Sequence, residues 1–381
     1  MKAIINGVIY KDHQLLKDKI LLYDTKIKAV IDHTKAVISD YDEIIDAKGL
    51  FVLPGFIDVH IHGYGSFDTM DDSQLSLSKI SEGIIKNGVT SFLPTTMTMS
   101  EEHIHKALRR LRHMKTQCHK GARILGAHIE GPFISKDYKG AQNDEYITTP
   151  NADLLMEYED VIKVITIAPE MDHAMSFIEK MAMKGVTVSI GHTGAEYETV
   201  LNAYDHGAKG ITHIFSAMTG LHHRKPGCVG AALLQDFYCE IIADNIHMNP
   251  AMYDLLIKIK KEEHLLLVTD CMRAGGMLDG QYDLGGQKVT VQDGKCVLGD
   301  GTLAGSTLKL NRGLRNFIHQ TSIDFEKAVR FVTENPAKYI NSFEYIGSLD
   351  HGKFADIVIV NEQVDVFYTI KEGEVLYEKK D

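Results

Sequence analysis

Two imidazoles two residues apart are the first chemical signal in this chain. In the run Ile57-Asp58-Val59-His60-Ile61-His62-Gly63, His60 and His62 stand at i and i+2, so on a strand both point to one face. Gly63 and Gly65 follow, small enough for a loop to turn close to a bound ion. A lone His-x-His is weak evidence, often no more than two surface histidines. Here the placement recurs: Glu130, His192, His213 and Asp270 each close another short apolar run. Imidazole nitrogens and carboxylate oxygens are the donor set of a divalent metal centre. Taken singly, His192 or His213 reads equally as a hydrogen-bonded core histidine, and Glu130 or Asp270 as a helix cap. Six such groups converging at one mouth would need a cation, because desolvated charges need partners.

Residues at strand ends converge only if the strands are parallel and share an axis. Between Pro54 and about Phe343, short apolar runs alternate with helix-length segments, the pattern of βα units. The runs are 56–61, 91–96, 123–130, 164–169, 186–192, 210–215, 239–244 and 265–270, most of them continuously apolar, as strands covered on both faces are. Eight of them predict a (β/α)8 barrel of α/β class, whose active sites lie at the C-terminal ends of the strands. An open doubly wound sheet is the second choice, and no glycine-rich phosphate fingerprint follows the first strand to support it. Helices are expected from Ser100, with acids in the first turn, and from Pro250, whose missing N–H costs little there. Residues 279–299 read as an inserted pair of hairpins. Both ends of the chain hold short β runs that cannot form a core alone. The economical solution joins them, giving a β domain from 1–53 and 346–381 and a barrel from 54–345.

Composition narrows the partners. The 381 residues carry 41 Lys+Arg against 52 Asp+Glu, a formal charge of −11, which argues against nucleic acid or an anionic membrane as the main partner. No apolar run reaches the roughly 18 residues of a membrane span. The five cysteines (118, 228, 239, 271 and 296) form no CxxC, which fits a reduced, cytoplasmic protein; each reads as a small buried hydrophobe, with Cys271 placed to line a site. The basic run from Arg109 to Arg123 reads as the outer face of a barrel helix, and Met171, Met175, Met181 and Met183 as core filler.

The motifs then carry a family resemblance. PGFIDVHIHG (54–63) and GKFADIVI (352–359) resemble the amidohydrolase superfamily. AHIEGPF (127–133), SIGHT (189–193), THIFSAM (212–218), HRKPG (223–227), IADNIH (242–247), LLVTD (266–270) and GTLAGS (301–306) are similar to its N-acetylglucosamine-6-phosphate deacetylase family. The resemblance spans nearly the whole barrel, and implies a distorted (β/α)8 TIM barrel with a small β-sandwich from both termini, as a homodimer. It implies metal ligation by Glu130, His192 and His213, with His60 and His62 holding a second divalent ion and Glu130 bridging the two. Zinc, iron, manganese and cobalt all suit this donor set. Asp270 would touch the second ion and move the proton. Ala141, Gln142, Ser216, Ala217, Arg224, His247, Leu303, Ala304 and Gly305 fall where the family binds its phosphorylated amino sugar, with Arg224 on the 6-phosphate, reaching in from the neighbouring subunit. Gln142 stands where other members have a histidine, Ser216 where many have Asn, and Asn245 where many have Gly.

The implied reaction is hydrolysis of the N-acetyl group of N-acetylglucosamine 6-phosphate to glucosamine 6-phosphate and acetate, in amino-sugar catabolism. Metal-bound hydroxide would be the nucleophile and Asp270 the general base and then acid. The rivals are N-acetylgalactosamine-6-phosphate deacetylation, another amidohydrolase reaction, and a barrel that binds metal without catalysis. Cyclic-amide hydrolases of the superfamily bridge their metals with a modified lysine ending strand four. Here that position reads Ala168-Pro169-Glu170. Asp270 beside a complete ligand set speaks against a silent barrel.

Overall fold

A computed structural model describes residues 1–35, 41–117 and 120–380. Cys118 lies outside the described residues. Among those residues, eight parallel strands form the barrel: β1 Phe56–Ile61, β2 Val89–Pro94, β3 Ala127–Glu130, β4 Ile162–Ile167, β5 Thr187–Ile190, β6 Ala208–Ile211, β7 Tyr238–Ile242 and β8 Leu265–Val268. Strands β3 to β8 make one continuous parallel sheet. The expected run 123–130 is broken: Arg123–Ile124 pairs with β2, and after Gly126 the chain resumes as β3 on β4. This break is the distortion, since one strand hands the sheet over in two pieces. The barrel closes where the Asp270 N–H donates to His60 O (2.9 Å) and Cys271 bridges to Ile61.

The strands β5, β6 and β8 stop earlier than their apolar runs, two residues before His192, His213 and Asp270. All three residues have left-handed backbone, with φ of 49°, 32° and 47°. That conformation leaves the ladder and turns each side chain into the mouth. It costs of order 1–3 kcal/mol per residue and recurs at functional sites.

Both chain ends meet in the smaller unit. Strand Ile357–Val360 pairs antiparallel with Phe51–Pro54, which pairs with Val8–Lys11, so one six-stranded sheet contains both termini. A four-stranded sheet from the N-terminal segment packs on it, with Ile4, Leu21, Val52, Ile357 and Ile370 buried between them. The insertion is a three-stranded meander, Gly280–Leu284, Gln287–Gln292 and Lys295–Val297. Its apolar face (Leu284, Val289, Val291) rests on Met97, Met272 and Ala304, beside the barrel mouth.

Helices occur where expected, Glu101–Lys115 after Ser100 and Ala251–Ile259 after Pro250. The Ser100 hydroxyl meets His103 Nδ1 (2.7 Å) and makes no side-chain cap bond to the helix backbone. The basic run is neutralised locally, Arg110 by Asp72, Arg112 by Asp160 and Arg123 by Asp356 and Glu372. Met181 is buried and Met171 and Met175 pack against the core, whereas Met183, the last residue of helix Ala174–Met183, is 82% exposed and fills nothing. No helix among the described residues is long and apolar enough to cross a membrane.

Candidate metal centre and substrate cavity

Two groups of buried donors meet at the mouth, Glu130 with His192 and His213, and His60 with His62 and Asp270. Glu130 joins them. Its Oε1 lies 3.1 Å from His213 Nε2, 3.3 Å from His192 Nε2 and 3.4 Å from His60 Nε2, and its Oε2 lies 3.2 Å from His62 Nε2. Asp270 Oδ1 sits 3.2 Å from His62 Nε2 and 3.5 Å from His60 Nε2.

The protons on these rings decide what the centre can hold. His192 Nδ1 is 3.0 Å from the Tyr138 carbonyl, which only accepts, so Nδ1 carries the proton and Nε2 a lone pair. His60 Nδ1 donates in the same way to Glu240 Oε2 at 2.9 Å. In their neutral form these two rings turn lone pairs towards carboxylate oxygens in a buried space, a repulsive arrangement that either a proton on Nε2 or a metal cation relieves. The donor set fits a divalent metal ion.

With no cation among them, the buried carboxylates favour charged rings instead. Burial alone would push the Glu130 carboxyl up, but His60, His192, His213 and His62 outweigh it and hold it well below the usual range. Asp270 is likewise brought down to about 2, the imidazoles of His60 and His62 overcoming its burial. Burial opposes the charge of His60, yet Glu130, Glu240 and Asp270 raise its pKa to about 9. Behind β1, burial pushes Asp58 up to about 7 despite the Thr269 hydroxyl donating to it at 2.7 Å.

His128 belongs to the AHIEG motif and touches the His60 ring, with centroids 4.6 Å apart, yet it is not free to ligate. Its Nδ1 donates to Val59 O (3.0 Å), and the Thr166 hydroxyl donates to its Nε2 (2.8 Å). Burial holds its pKa well below the ordinary histidine value. It supports the strand beneath the centre.

A cavity of about 620 Å³ opens above the donors. Of the anticipated residues it is lined by Ala141, Gln142, Ser216, Ala217, His247, Leu303 and Gly305, together with His62, Glu130, His192, His213 and Asp270. His60 lies below its floor, fully buried. Gln142 donates from Nε2 to Glu130 Oε2 (2.7 Å) while its Oε1 accepts the Thr98 N–H (2.7 Å), so it is clamped against the bridging carboxylate. Asp244 accepts from His247 Nδ1 at 2.7 Å and from its backbone N–H at 2.9 Å, fixing that ring at the cavity wall. Asn245 has φ of 64°, a left-handed residue where glycine is the easy choice and Asn the tolerated one, which accounts for its departure from the family pattern.

Three of the residues singled out in the sequence lie away from the cavity surface of this chain. Ala304 does not line the cavity; it is fully buried under the inserted sheet. Arg224 is exposed on the 222–225 turn, where its guanidinium meets His223 Nε2 (2.7 Å), outside the cavity lining of its own chain. Cys271 does not face the cavity either: it is buried, and its carbonyl accepts from the N–H groups of both His62 and Gly63 at 2.9 Å. Gly63 is needed for that packing, since a Cβ there would meet Phe67 O at 2.3 Å.

The sequence reading missed Glu240, Lys136, Lys139, Asp300 and Leu284. The last four line the cavity from loops and the insertion, where residue type alone says little. Glu240 had a signal: a carboxylate inside an apolar run, on a strand expected to be covered on both faces.

These features, a (β/α)8 barrel with nitrogen and oxygen donors at its strand ends and a β unit made from both termini, define a class of metal-dependent hydrolases. Residues 51–376 match the amidohydrolase family model, and the chain belongs to that family. Over 98% of this chain and 96% of that protein, it is 38% identical to the N-acetylglucosamine-6-phosphate deacetylase of Bacillus subtilis (strain 168). It is 35% identical to the N-acetylgalactosamine-6-phosphate deacetylase of Escherichia coli O157:H7, over 84% of this chain and 86% of the other. The crystal structure of N-acetylglucosamine-6-phosphate deacetylase from Pasteurella multocida superposes with a TM-score of 0.95 at 32% identity, covering 99% of this chain and all of that one.

Proposed function

We propose that this chain is an N-acetylglucosamine-6-phosphate deacetylase, hydrolysing the acetamide to glucosamine 6-phosphate and acetate. The observation that carries this reading is Glu130 joining two buried donor groups on the floor of a sugar-sized cavity, with Asp270 beside it. The similarity to enzymes bearing that name supports the substrate. Two divalent ions per chain fit the two groups, one on Glu130, His192 and His213 and one on His60, His62 and Asp270, with Glu130 shared; zinc, iron, manganese and cobalt are the candidates.

Ions bound there lower the pKa of water from 15.7 towards about 7 and polarise the amide carbonyl. The chain's own residues do the rest. Asp270, ionised at neutral pH, accepts the proton of the attacking water as the new C–O bond forms. It then returns that proton to the sugar nitrogen as the C–N bond breaks, so acetate and a free amine leave. Gln142, clamped on Glu130, spends its second N–H on the weak acceptor Met97 Sδ (3.8 Å), a bond it would trade for the carbonyl oxygen. His247 orients the sugar, held by Asp244.

The phosphate needs cations and donors at the outer end of the cavity. Ser216 spends its N–H on His213 O (2.9 Å), which leaves its hydroxyl as the donor it can offer. Because Arg224 stands outside its own chain's cavity, we assign it to the phosphate of a neighbouring copy in a cytoplasmic homodimer. Arg224→Ala should lower kcat/KM for the phosphorylated sugar about tenfold to a hundredfold, the worth of a charge-assisted bond of about 1.5–3 kcal/mol. The unphosphorylated sugar should be unaffected, and equal losses on both would remove Arg224 from phosphate binding.

The direct test offers purified protein of known metal content N-acetylglucosamine 6-phosphate, N-acetylgalactosamine 6-phosphate and unphosphorylated N-acetylglucosamine, and measures acetate. The first should react fastest. A faster second substrate would shift the assignment to the galacto epimer, which the 35% identity to that enzyme keeps in view. No acetate from any phosphorylated N-acetylhexosamine would end it.

A further inference from the structure

Glu240 lies mid-way along β7, fully buried beneath the donors, and neither the barrel-mouth pattern nor the proposed chemistry uses it. Its Oε2 accepts the His60 Nδ1–H at 2.9 Å and the backbone N–H of His213 at 3.3 Å. One carboxylate oxygen thus braces a residue from each donor group, from the side away from the cavity. Its other oxygen, Oε1, is buried with no hydrogen-bond partner among the described residues. A fully buried carboxylate with one bare oxygen costs stability compared with an apolar side chain of similar size, so fold stability gives no reason for it.

The four imidazoles are not equally supported. His192 is held through Nδ1 by the Tyr138 carbonyl, while His62 Nδ1 and His213 Nδ1 have no hydrogen-bond partner among the described residues. In the group of His60, His62 and Asp270, the contact with Glu240 is the bond that sets which ring nitrogen of His60 faces inward. An imidazole whose far N–H donates to a carboxylate turns a defined, electron-rich Nε2 towards its metal, and loss of such a partner weakens binding about 10- to 100-fold.

We propose that Glu240 is a positioning residue for the second ion: through His60 it makes the site of His60, His62 and Asp270 competent, while the site of Glu130, His192 and His213 stands without it. This rests on the two-ion reading above. Glu240→Gln keeps the shape and can still accept both N–H groups on its amide oxygen, but removes the charge. Glu240→Asp keeps the charge on an arm too short to reach. Wild type and both variants, stripped of metal, would be dialysed against defined free Co2+, with bound cobalt counted and its visible spectrum recorded.

Wild type should take up two ions per chain with distinct affinities. Both variants should retain one ion at wild-type affinity and bind the other about 10- to 100-fold more weakly, with loss of its spectral component. Unchanged uptake of two ions by both variants would overturn the inference while leaving two-ion binding intact. Equal weakening of both sites, or a lower melting temperature of the metal-free variants without selective ion loss, would also overturn it, making Glu240 a general support. A single ion in wild type would instead sink the two-ion reading, and this inference with it.

Discussion

Asp270→Asn is expected to reduce acetate release by about 10³-fold, within the range that a positioned general acid–base contributes. The substitution keeps an oxygen at the position of Oδ1, 3.2 Å from His62 Nε2, so the centre should keep its shape. What it removes is the ability to hold a proton between the two bond changes. The wild-type carboxyl is held below the usual carboxylate range because His60 and His62 outweigh its burial, so it is ionised at neutral pH with a lone pair open to a proton. The backbone around it is constrained: φ is 47°, its N–H is tied to His60 O (2.9 Å) and its carbonyl to the Ser306 N–H (2.8 Å). Asn tolerates the left-handed region, so the loss should not be a folding effect. Turnover and metal content measured on the same preparation decide the matter. Near-normal turnover by a metal-loaded Asn variant would take Asp270 out of the proton transfer.

The second large effect belongs to Glu130. It is the group common to both donor sets, within 3.1–3.4 Å of four imidazole nitrogens. Glu130→Gln removes the negative charge they share and puts an amide N–H or a neutral oxygen among ring lone pairs. Bound metal should fall below one ion per chain, and turnover by at least about 10⁴-fold, since water with a pKa near 15.7 yields almost no hydroxide at neutral pH. A thermal readout separates metal loss from misfolding. Ion at 1,000 times its Kd should stabilise the wild type by about 4 kcal/mol. The same addition should leave the Gln variant's melting temperature unmoved. A Gln variant that keeps two ions and raises its melting temperature with metal would contradict the shared-carboxylate arrangement.

The mouth was legible in the sequence because barrel geometry turns sequence position into spatial position. Once 56–61, 123–130 and 265–270 are read as strands, His60, Glu130 and Asp270 must meet. The apolar runs overreach the strands at His192, His213 and Asp270, since hydrophobicity does not register the left-handed backbone that ends the ladder. The split of 123–130 into two pieces was hidden for a related reason: Gly126 interrupts hydrogen bonding without interrupting the apolar pattern. Arg224 shows another limit. Its motif suggests a phosphate contact from a neighbouring subunit, and its exposed place outside its own chain's cavity agrees with that without naming the partner surface. Cys271 and Gly63 were read for their place beside the site, and the structure shows them joined there by backbone contacts. Glu240 was legible in principle, as a charge where a doubly covered strand has no room for one.

The most direct test of a metal-dependent deacetylase is to strip the chain with a chelator and titrate metal back while following acetate release from N-acetylglucosamine 6-phosphate. Release should vanish in the stripped protein. It should return in proportion to bound ion and level off at no more than two ions per chain. Acetate release that persists after the metal is gone, or fully loaded protein that releases none, would contradict the account.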